Sequence, residues 1–479
     1  MTFNSYLFVL LIFPVSVAGF FVIGKYSTLS AKWFLIIISF LFVSFGSMEM
    51  GLFLCVCCGI NYFLYCLPYL NKKTCMVVGI AINLLFLIYC KYAVFFLNTI
   101  NSVFAKTLPL PSIFIPLGIS FLTFNLISFH IDYYRGVIEK ASISDFLLYI
   151  LYYPKYMQGP LVSFSEFVKQ FENKAAVQID LDNFSQGILR FTLGLTKKLF
   201  FASVLSSPVT WAFGNISIAS TLDLAIGAIC YTFQIYFDFS GYCDMANGIS
   251  LMMNIKLPEN FNSPYRSLSI TEFWTRWHIT LSNFLKKYVY FPLGGSRKGT
   301  LHTSINIMIV FFLSGLWHGS NWTFIVWGLC NGLLSCSERW FHSGIKKIPK
   351  LMRWFFTFVF TNILWVLFRS DSLSQFIQFL IRFFSLRSMT LSGGIVSAFE
   401  LPEFKLIRIF TMDTRFLLYC NIVSMGLILL SSFLICMFVR NNGKRVWKLT
   451  SLNAVFFSFL LTYCILSLGK VQEFIYKRF

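Results

Sequence analysis

The sequence predicts an all-α protein that crosses a membrane several times. Three observations carry that expectation. Hydrophobic residues make up 57% of the chain and charged residues only 12%; mean hydropathy is +0.72; and apolar runs of the length a bilayer demands recur along most of the chain. A hydrocarbon core of about 30 Å takes about 20 apolar residues per helix.

Taken in order, the runs are Tyr6–Gly24, Trp33–Phe45, Met50–Leu67, Met76–Leu97 and Ile113–Ile131 in the first part of the chain. The first ends in Lys25 without a small-residue cleavage site, so it reads as a retained helix and not as a removed signal. The polar stretch Val168–Asp182 is the first clear extramembrane loop. Leu222–Ile235, Ile305–Leu316, Phe324–Leu334 and Phe355–Phe368 follow, then a polar hairpin near Ser385–Asp413, then Leu417–Val439 and Ser451–Leu468. The expectation is about ten to thirteen membrane helices, some short or re-entrant. No internal repeat or low-complexity linker divides them.

Lys plus Arg number 39 against 19 Asp plus Glu, a net charge of +20. In a soluble protein that excess would point to nucleic acid. Here the basic residues sit in short loops, at Lys72 and Lys73, Lys197 and Lys198, Lys286 to Lys298, Lys346 to Arg353 and Arg440 to Lys448. That is the positive-inside bias of a membrane protein, with no basic stripe on a soluble fold to bind nucleic acid. The 13 cysteines are scattered through apolar segments. The one CxxC spacing, Cys55 to Cys58, has no second pair or histidine nearby, so the thiols read as small hydrophobes and no metal is expected.

From the Val168–Asp182 loop to about residue 340, polar, Gly-rich and Pro-rich segments interrupt the apolar runs. Non-helical backbone at membrane depth is tolerated only where protein or a water cavity satisfies it, so function is expected in this middle portion. Within it, Ser269-Ile270-Thr271-Glu272 has capping-box spacing and Leu268 with Phe273 that of a hydrophobic staple. Pro292 ends the segment. The spacing predicts one amphipathic helix, with His278 in line with Trp274, Leu281 and Leu285 on its apolar stripe. It is too polar to span, and belongs at the membrane interface or tucked into the protein.

The five histidines are not equal. His302 and His342 sit beside loops and read as solvated. His130, at a helix end near Asp132 and Arg135, reads as a structural hydrogen-bonding residue. His278 and His318 sit among Trp, Leu and Phe, where a polar ring is expensive. For His318, in LSGLWHGSNWTF, a satisfied core imidazole and a general base are both open. Gly315 and Gly319 admit another backbone or a ligand, and Trp317 and Trp322 can wall a narrow cavity. Desolvation would keep the ring neutral and able to accept a proton.

A third constellation, YFDFSGYCDMANG, places Tyr236, Asp238, Ser240, Asp244 and Asn247 directly after an apolar run. An aspartate at the helix centre costs about 2.5–3.5 kcal/mol on insertion scales, so it either pairs, with an arginine such as Arg266 or Arg276, or lines a polar tunnel. The turn from Gly294 to Gly299 could hold an anion or be a plain interfacial loop. No GxSxG elbow, HExxH or Walker loop is present.

The run FNSPYRSLSITEFWTRWHITLSNFLKKYVYFPLGGSRKGT, followed by FFLSGLWHGSNWTFIVWG, resembles the membrane-bound O-acyltransferase (MBOAT) family, specifically its bacterial alginate O-acetylase-like branch. The likeness extends to FNSYLFVLLIFPV, PLGISFLTFNLISFHIDYYRG, YYPKYMQGPLVSFSEF and YFDFSGYCDMANGISLMMNIKLPENF, nearly the whole chain. Thr275, Lys287 and Asn331 depart from the family pattern.

The resemblance implies one domain over 1–479. N-terminal helices would occupy 1–105, a catalytic core 106–340, and C-terminal helices 341–479 with an extramembrane hairpin near 385–413. It implies a rim of helices around a thinned centre pierced by a tunnel, with His318 at the constriction and His278 matching the family's second histidine. Trp317, Trp322, Asn321, Trp274, Trp277, Asp238, Ser240 and Tyr236 are the candidate tunnel-lining residues, and Tyr476, in the closing VQEFIYKRF, the candidate partner contact.

An acyl thioester, acetyl-CoA or an acyl carrier, would enter from the cytoplasm as substrate, with no permanently bound cofactor. The acceptor would be a hydroxyl of an exported polysaccharide or cell-wall glycan, or a partner protein. The expected setting is the bacterial cell membrane, beside an extracytoplasmic accessory acyltransferase. His318 would take the hydroxyl proton, with His278 supporting or polarising.

Within the family, D-alanyl or longer acyl transfer is the alternative. From other classes, a transporter or a non-catalytic scaffold of glycan export remains. Polar content concentrated between residues 230 and 325, without a matching half, argues against a repeat-built transporter.

Overall fold

The computed structural model describes residues 2–386, 388–401, 403–404, 414–441, 443, 447–448 and 450–470. Tyr476 and the 405–413 part of the expected hairpin lie outside the described residues. The regular secondary structure of the described chain is helical, with one isolated antiparallel bridge between Phe261 and Trp277.

Among the described residues, five helices are long and apolar enough to cross a membrane: Met48–Cys66, Lys72–Phe104, Gly299–His318, Lys350–Arg369 and Arg415–Phe438. Phe8–Gly24, Thr28–Ser44, Leu373–Phe384 and Ser451–Leu466 are apolar but shorter. Two of the expected runs differ from these helices, for local reasons. Pro109, Pro111 and Pro116 keep 106–116 out of a helix, so the run expected from Ile113 begins its helix only at Ile119. Leu222–Ile235 is the first part of a much longer helix, Thr221–Met252, whose second part carries Asp238, Ser240, Asp244 and Asn247.

The chain forms two compact units. The first comprises Met1–Leu195, Tyr242–Glu259 and Val446–Lys470. In it, Asn61 and Asn83 exchange side-chain amide hydrogen bonds at 3.2 and 2.6 Å. His130 places Nε2 2.8 Å from the Asn61 oxygen. The expected structural role of His130 is thus met by Asn61. At Gly187 and Gly248 two helices cross backbone to backbone: a Cβ on either would lie 2.7 Å from the other's carbonyl oxygen. Beside that crossing Arg190 binds Asp244 at 3.2 Å and Glu259 at 2.5 Å.

The second unit comprises Thr196–Gly241, Asn260–Arg445 and Val471–Phe479, of which residues 471–479 are outside the description. Within it the helices Gly299–His318 and Trp322–Trp340 pack antiparallel. A Cβ on Gly315 would meet the Phe324 carbonyl oxygen at 2.4 Å, and one on Gly328 the Phe311 carbonyl oxygen at 2.3 Å. Small residues at such a crossing let membrane helices pack by backbone contact. Of the two visitors that Gly315 could admit, the structure shows the neighbouring helix.

Candidate active site

Every group in the site described next belongs to the second unit. Its most informative piece begins where the sequence predicts one helix. Ser269 Oγ accepts the Glu272 N–H at 3.0 Å, half of the expected capping box, while the Glu272 carboxylate turns to the Leu268 N–H at 2.9 Å instead of to Ser269. Glu338, on the Trp322–Trp340 helix, accepts the Ile270 and Thr271 N–H groups at 2.5 and 2.8 Å. These orphan donors fix the helix start.

The helix then stops at Arg276 and does not continue to Pro292. Trp277 is extended, His278 adopts the left-handed conformation with φ of 45°, and a new helix runs Ile279–Leu285. A non-glycine residue held there is uncommon and persists only where its surroundings over-determine it. The neighbouring segment does so: the Asn262 N–H donates to the Arg276 carbonyl at 2.9 Å, the Ile279 N–H to the Asn260 carbonyl at 3.0 Å, and Phe261 bridges Trp277. This corrects the expected single helix. His278 is the corner between two short helices, not a member of one stripe.

The corner delivers the His278 ring against Phe239, with centroids 4.7 Å apart, and against Trp317 at 5.6 Å. His318, at the C-terminal end of its helix, stands against the same indole, 4.7 Å from Trp317. Trp327 and Phe368 close on it edge to face, each at 5.1 Å. Both imidazoles are buried, at 1% and 3% exposure. Burial in this aromatic shell pushes the His278 imidazole down to about 3, because desolvation penalises the imidazolium. The ring is neutral at pH 7.

The other candidates fall in different places. Trp274 is buried and donates from Nε1 to the Asn331 oxygen at 3.1 Å, so the family-atypical Asn331 serves that indole. Trp277 is fully buried, stacked on Phe273 and tilted against Trp365 at 5.0 Å. Tyr236 donates to the Asn441 oxygen at 3.0 Å and packs on Phe261. Asn321 caps the Trp322–Trp340 helix and donates to the Asp371 carbonyl at 2.8 Å, which is a structural use of its amide. Trp322 is 48% exposed.

Asp238 forms a buried ion pair with Lys198. The expected arginine partner is therefore wrong: Arg276 pairs with Glu272 at 2.9 Å on its own helix. The Ser240 hydroxyl is buried and has no hydrogen-bond partner among the described residues.

Among the described residues no three His, Cys, Asp or Glu side chains gather as a metal-binding set. All the cysteines are unbridged. What remains at the site is two buried imidazoles against one indole in an aromatic enclosure. Such groups can exchange protons with a bound substrate but cannot bind a hard cation without further ligands.

Compared with known proteins, residues 3–370 match the model of MBOAT, the membrane-bound O-acyltransferase family. The chain belongs to this family. MBOAT membership makes it a multi-pass membrane acyltransferase that takes an acyl donor as substrate. It is 35% identical over 414 residues to a peptidoglycan O-acetyltransferase of Helicobacter pylori, covering 79% of each chain. A protein of Pseudomonas aeruginosa named "Probable alginate O-acetylase" is 36% identical over 391 residues, 78% of this chain and 73% of that one. A more distant MBOAT relative, the teichoic acid D-alanyltransferase of Bacillus subtilis, is 29% identical over 239 residues, 48% of this chain and 60% of its own.

Several residues of this site carry no sequence signal of their own. Trp327, Phe368 and Phe239 look like ordinary apolar helix residues until the fold sets them on the two histidines. Asn260, whose side-chain oxygen lies 3.3 Å from His278 Nδ1, stands in a plain loop; only its place in the long PENF match singles it out.

Proposed function

We propose that this MBOAT acyltransferase moves an acetyl group from a cytoplasmic thioester, acetyl-CoA or an acyl carrier, to a hydroxyl of an exported polysaccharide or cell-wall glycan at the bacterial cell membrane. An extracytoplasmic accessory acyltransferase is the natural recipient or finisher of the transfer. The observation that carries the reading is the placement of His278 and His318 on one buried indole, that of Trp317.

In the reaction, His318 takes the acceptor's hydroxyl proton as its oxygen attacks the thioester carbonyl carbon. The C–O bond forms, the C–S bond breaks, and the proton passes from the imidazolium to the departing sulfur, leaving ester and thiol. A neutral, desolvated imidazole suits both halves of that shuttle. Holding thioester and hydroxyl in one dry place supplies the orientational part of the rate. Trp317, Trp274, Trp277, Tyr236, Asp238 and Ser240 line or brace the path, with Asn321 and Trp322 at its rim. Tyr476 is the proposed contact to the partner.

The identities of the relatives favour acetyl over D-alanyl transfer, since the acetylase-named proteins match more of the chain at higher identity. Mass spectrometry of surface glycans from cells with and without the gene tests the reading. Loss of O-acetyl groups on deletion supports it. Unchanged acetylation, or solute movement by purified protein that never consumes acyl thioester, contradicts it.

A further inference from the structure

Asn260 holds the His278 corner in two ways. Its backbone carbonyl accepts the Ile279 N–H at 3.0 Å, and its side-chain oxygen accepts the Thr280 N–H at 3.2 Å and the Thr280 hydroxyl at 2.7 Å. The same oxygen lies 3.3 Å from His278 Nδ1. Asn260 and His278 are each 1% exposed, so no water competes for these bonds.

The chemical identity of that amide atom follows from its partners. A backbone N–H only donates, so the atom facing Thr280 has to be the amide oxygen and not the nitrogen. An oxygen accepts, so His278 Nδ1 has to carry a proton to bond it. In a neutral imidazole the other ring nitrogen then holds a lone pair. Desolvation keeps the ring neutral.

We propose that Asn260 is a positioning residue that locks His278 in the Nδ1–H tautomer, so that Nε2 acts toward substrate as a hydrogen-bond acceptor and not as a donor to the acyl carbonyl oxygen. The inference rests on the acyl-transfer reading and narrows it. A lone pair on Nε2 cannot polarise the thioester carbonyl or stabilise the oxyanion that develops there. It can take a hydrogen bond from a hydroxyl. The attacking hydroxyl gives its one proton to His318, so His278 Nε2 receives a neighbouring hydroxyl of the same polyol acceptor and orients it. His278 gains and loses no proton over the cycle. Its task is acceptor recognition, and its tautomer is the device that sets it.

The test reads the tautomer directly. Full-length protein carrying 15N-histidine, in nanodiscs, is examined by NMR at pH 7, where protonated and unprotonated imidazole nitrogens resonate in separate ranges. The His278 signals are assigned by their loss in His278→Gln. The expected wild-type result is a protonated Nδ1 and an unprotonated Nε2. Asn260→Leu should move His278 to the Nε2–H form or a mixture and lower acetyl transfer by about 10²-fold. Asn260→Asp, which keeps an acceptor oxygen in place, should restore the Nδ1–H signal and recover most of the lost rate. A wild-type Nε2–H tautomer overturns the proposal, as does an Asn260→Leu protein whose tautomer is unchanged.

If Asn260→Leu does not fold, the wild-type and Asn260→Asp spectra still decide. The tautomer is measured without turnover, so an Nδ1–H signal in a protein that transfers no acetyl group sinks the acyl-transfer reading alone.

Discussion

His278 and His318 lie against the same side chain: the indole of Trp317 meets the first ring at 5.6 Å and the second at 4.7 Å between centroids. Trp317 and His318 are neighbours at the end of the Gly299–His318 helix, so the left-handed corner at His278 meets the second imidazole's own helix through this indole.

Removing that indole should disconnect the pair. Trp317→Ala is expected to lower acetyl transfer by about 10²-fold through misplacement of the reacting groups, while Trp317→Phe, which keeps an aromatic face, retains more activity. Steady-state rates on protein matched for folded fraction decide. Equal losses in the two variants would show that the aromatic face does not connect the pair.

The crossing of the Gly299–His318 and Trp322–Trp340 helices predicts a stability effect. Because a Cβ on Gly328 would lie 2.3 Å from the Phe311 carbonyl oxygen, Gly328→Ala should destabilise the fold by about 1–3 kcal/mol as an overpacking change. A lower thermal midpoint in detergent is the expected readout. An unchanged midpoint would mean that the helices part without cost.

The buried pair of Lys198 and Asp238 should behave as a unit. Each side chain is 2% exposed, so Asp238→Leu or Lys198→Met alone takes the opposite charge of this pair from a buried ion and is expected to cost about 3–5 kcal/mol. The double variant should recover much of that loss. Additive losses in the double-mutant cycle would show that the two groups do not depend on each other.

The depressed His278 imidazole predicts an acid dependence of definite sign. Below its ordinary value of 6.5 the unfolded chain takes up the proton and the folded ring, at about 3, does not. Its contribution to stability is thus complete above pH 6.5 and lost as pH falls toward 3. Between pH 6.5 and 5 the wild type should lose about 2 kcal/mol more than His278→Gln. Parallel thermal midpoints for the two proteins across that range would mean that the folded ring titrates normally.

Much of this architecture is legible from residue order, and the limits have physical causes. The helical membrane class follows from composition, and His318 stands out because its polar ring interrupts apolar sequence. The break at Trp277–His278 is hidden, because the capping pair Ser269 and Glu272 and the three- and four-residue spacing of Trp274, Trp277, Leu281 and Leu285 all favour a helix. What overrides them is a tertiary contact with 260–262, which local periodicity does not register. The partner of Asp238 is missed for a similar reason. Lys198 sits in a basic run that reads as a loop, whereas the structure folds it into a wide helical turn over Lys197–Ala202 and buries it. Short local patterns find elements, and long-range pairs decide where their polar groups point.

The most direct test of the central claim is acetyl transfer by purified His318→Ala protein, with folding verified by its thermal midpoint. The account predicts near-complete loss of transfer from thioester to the glycan hydroxyl in a protein that inserts and folds as the wild type does. Transfer at an undiminished rate would contradict it.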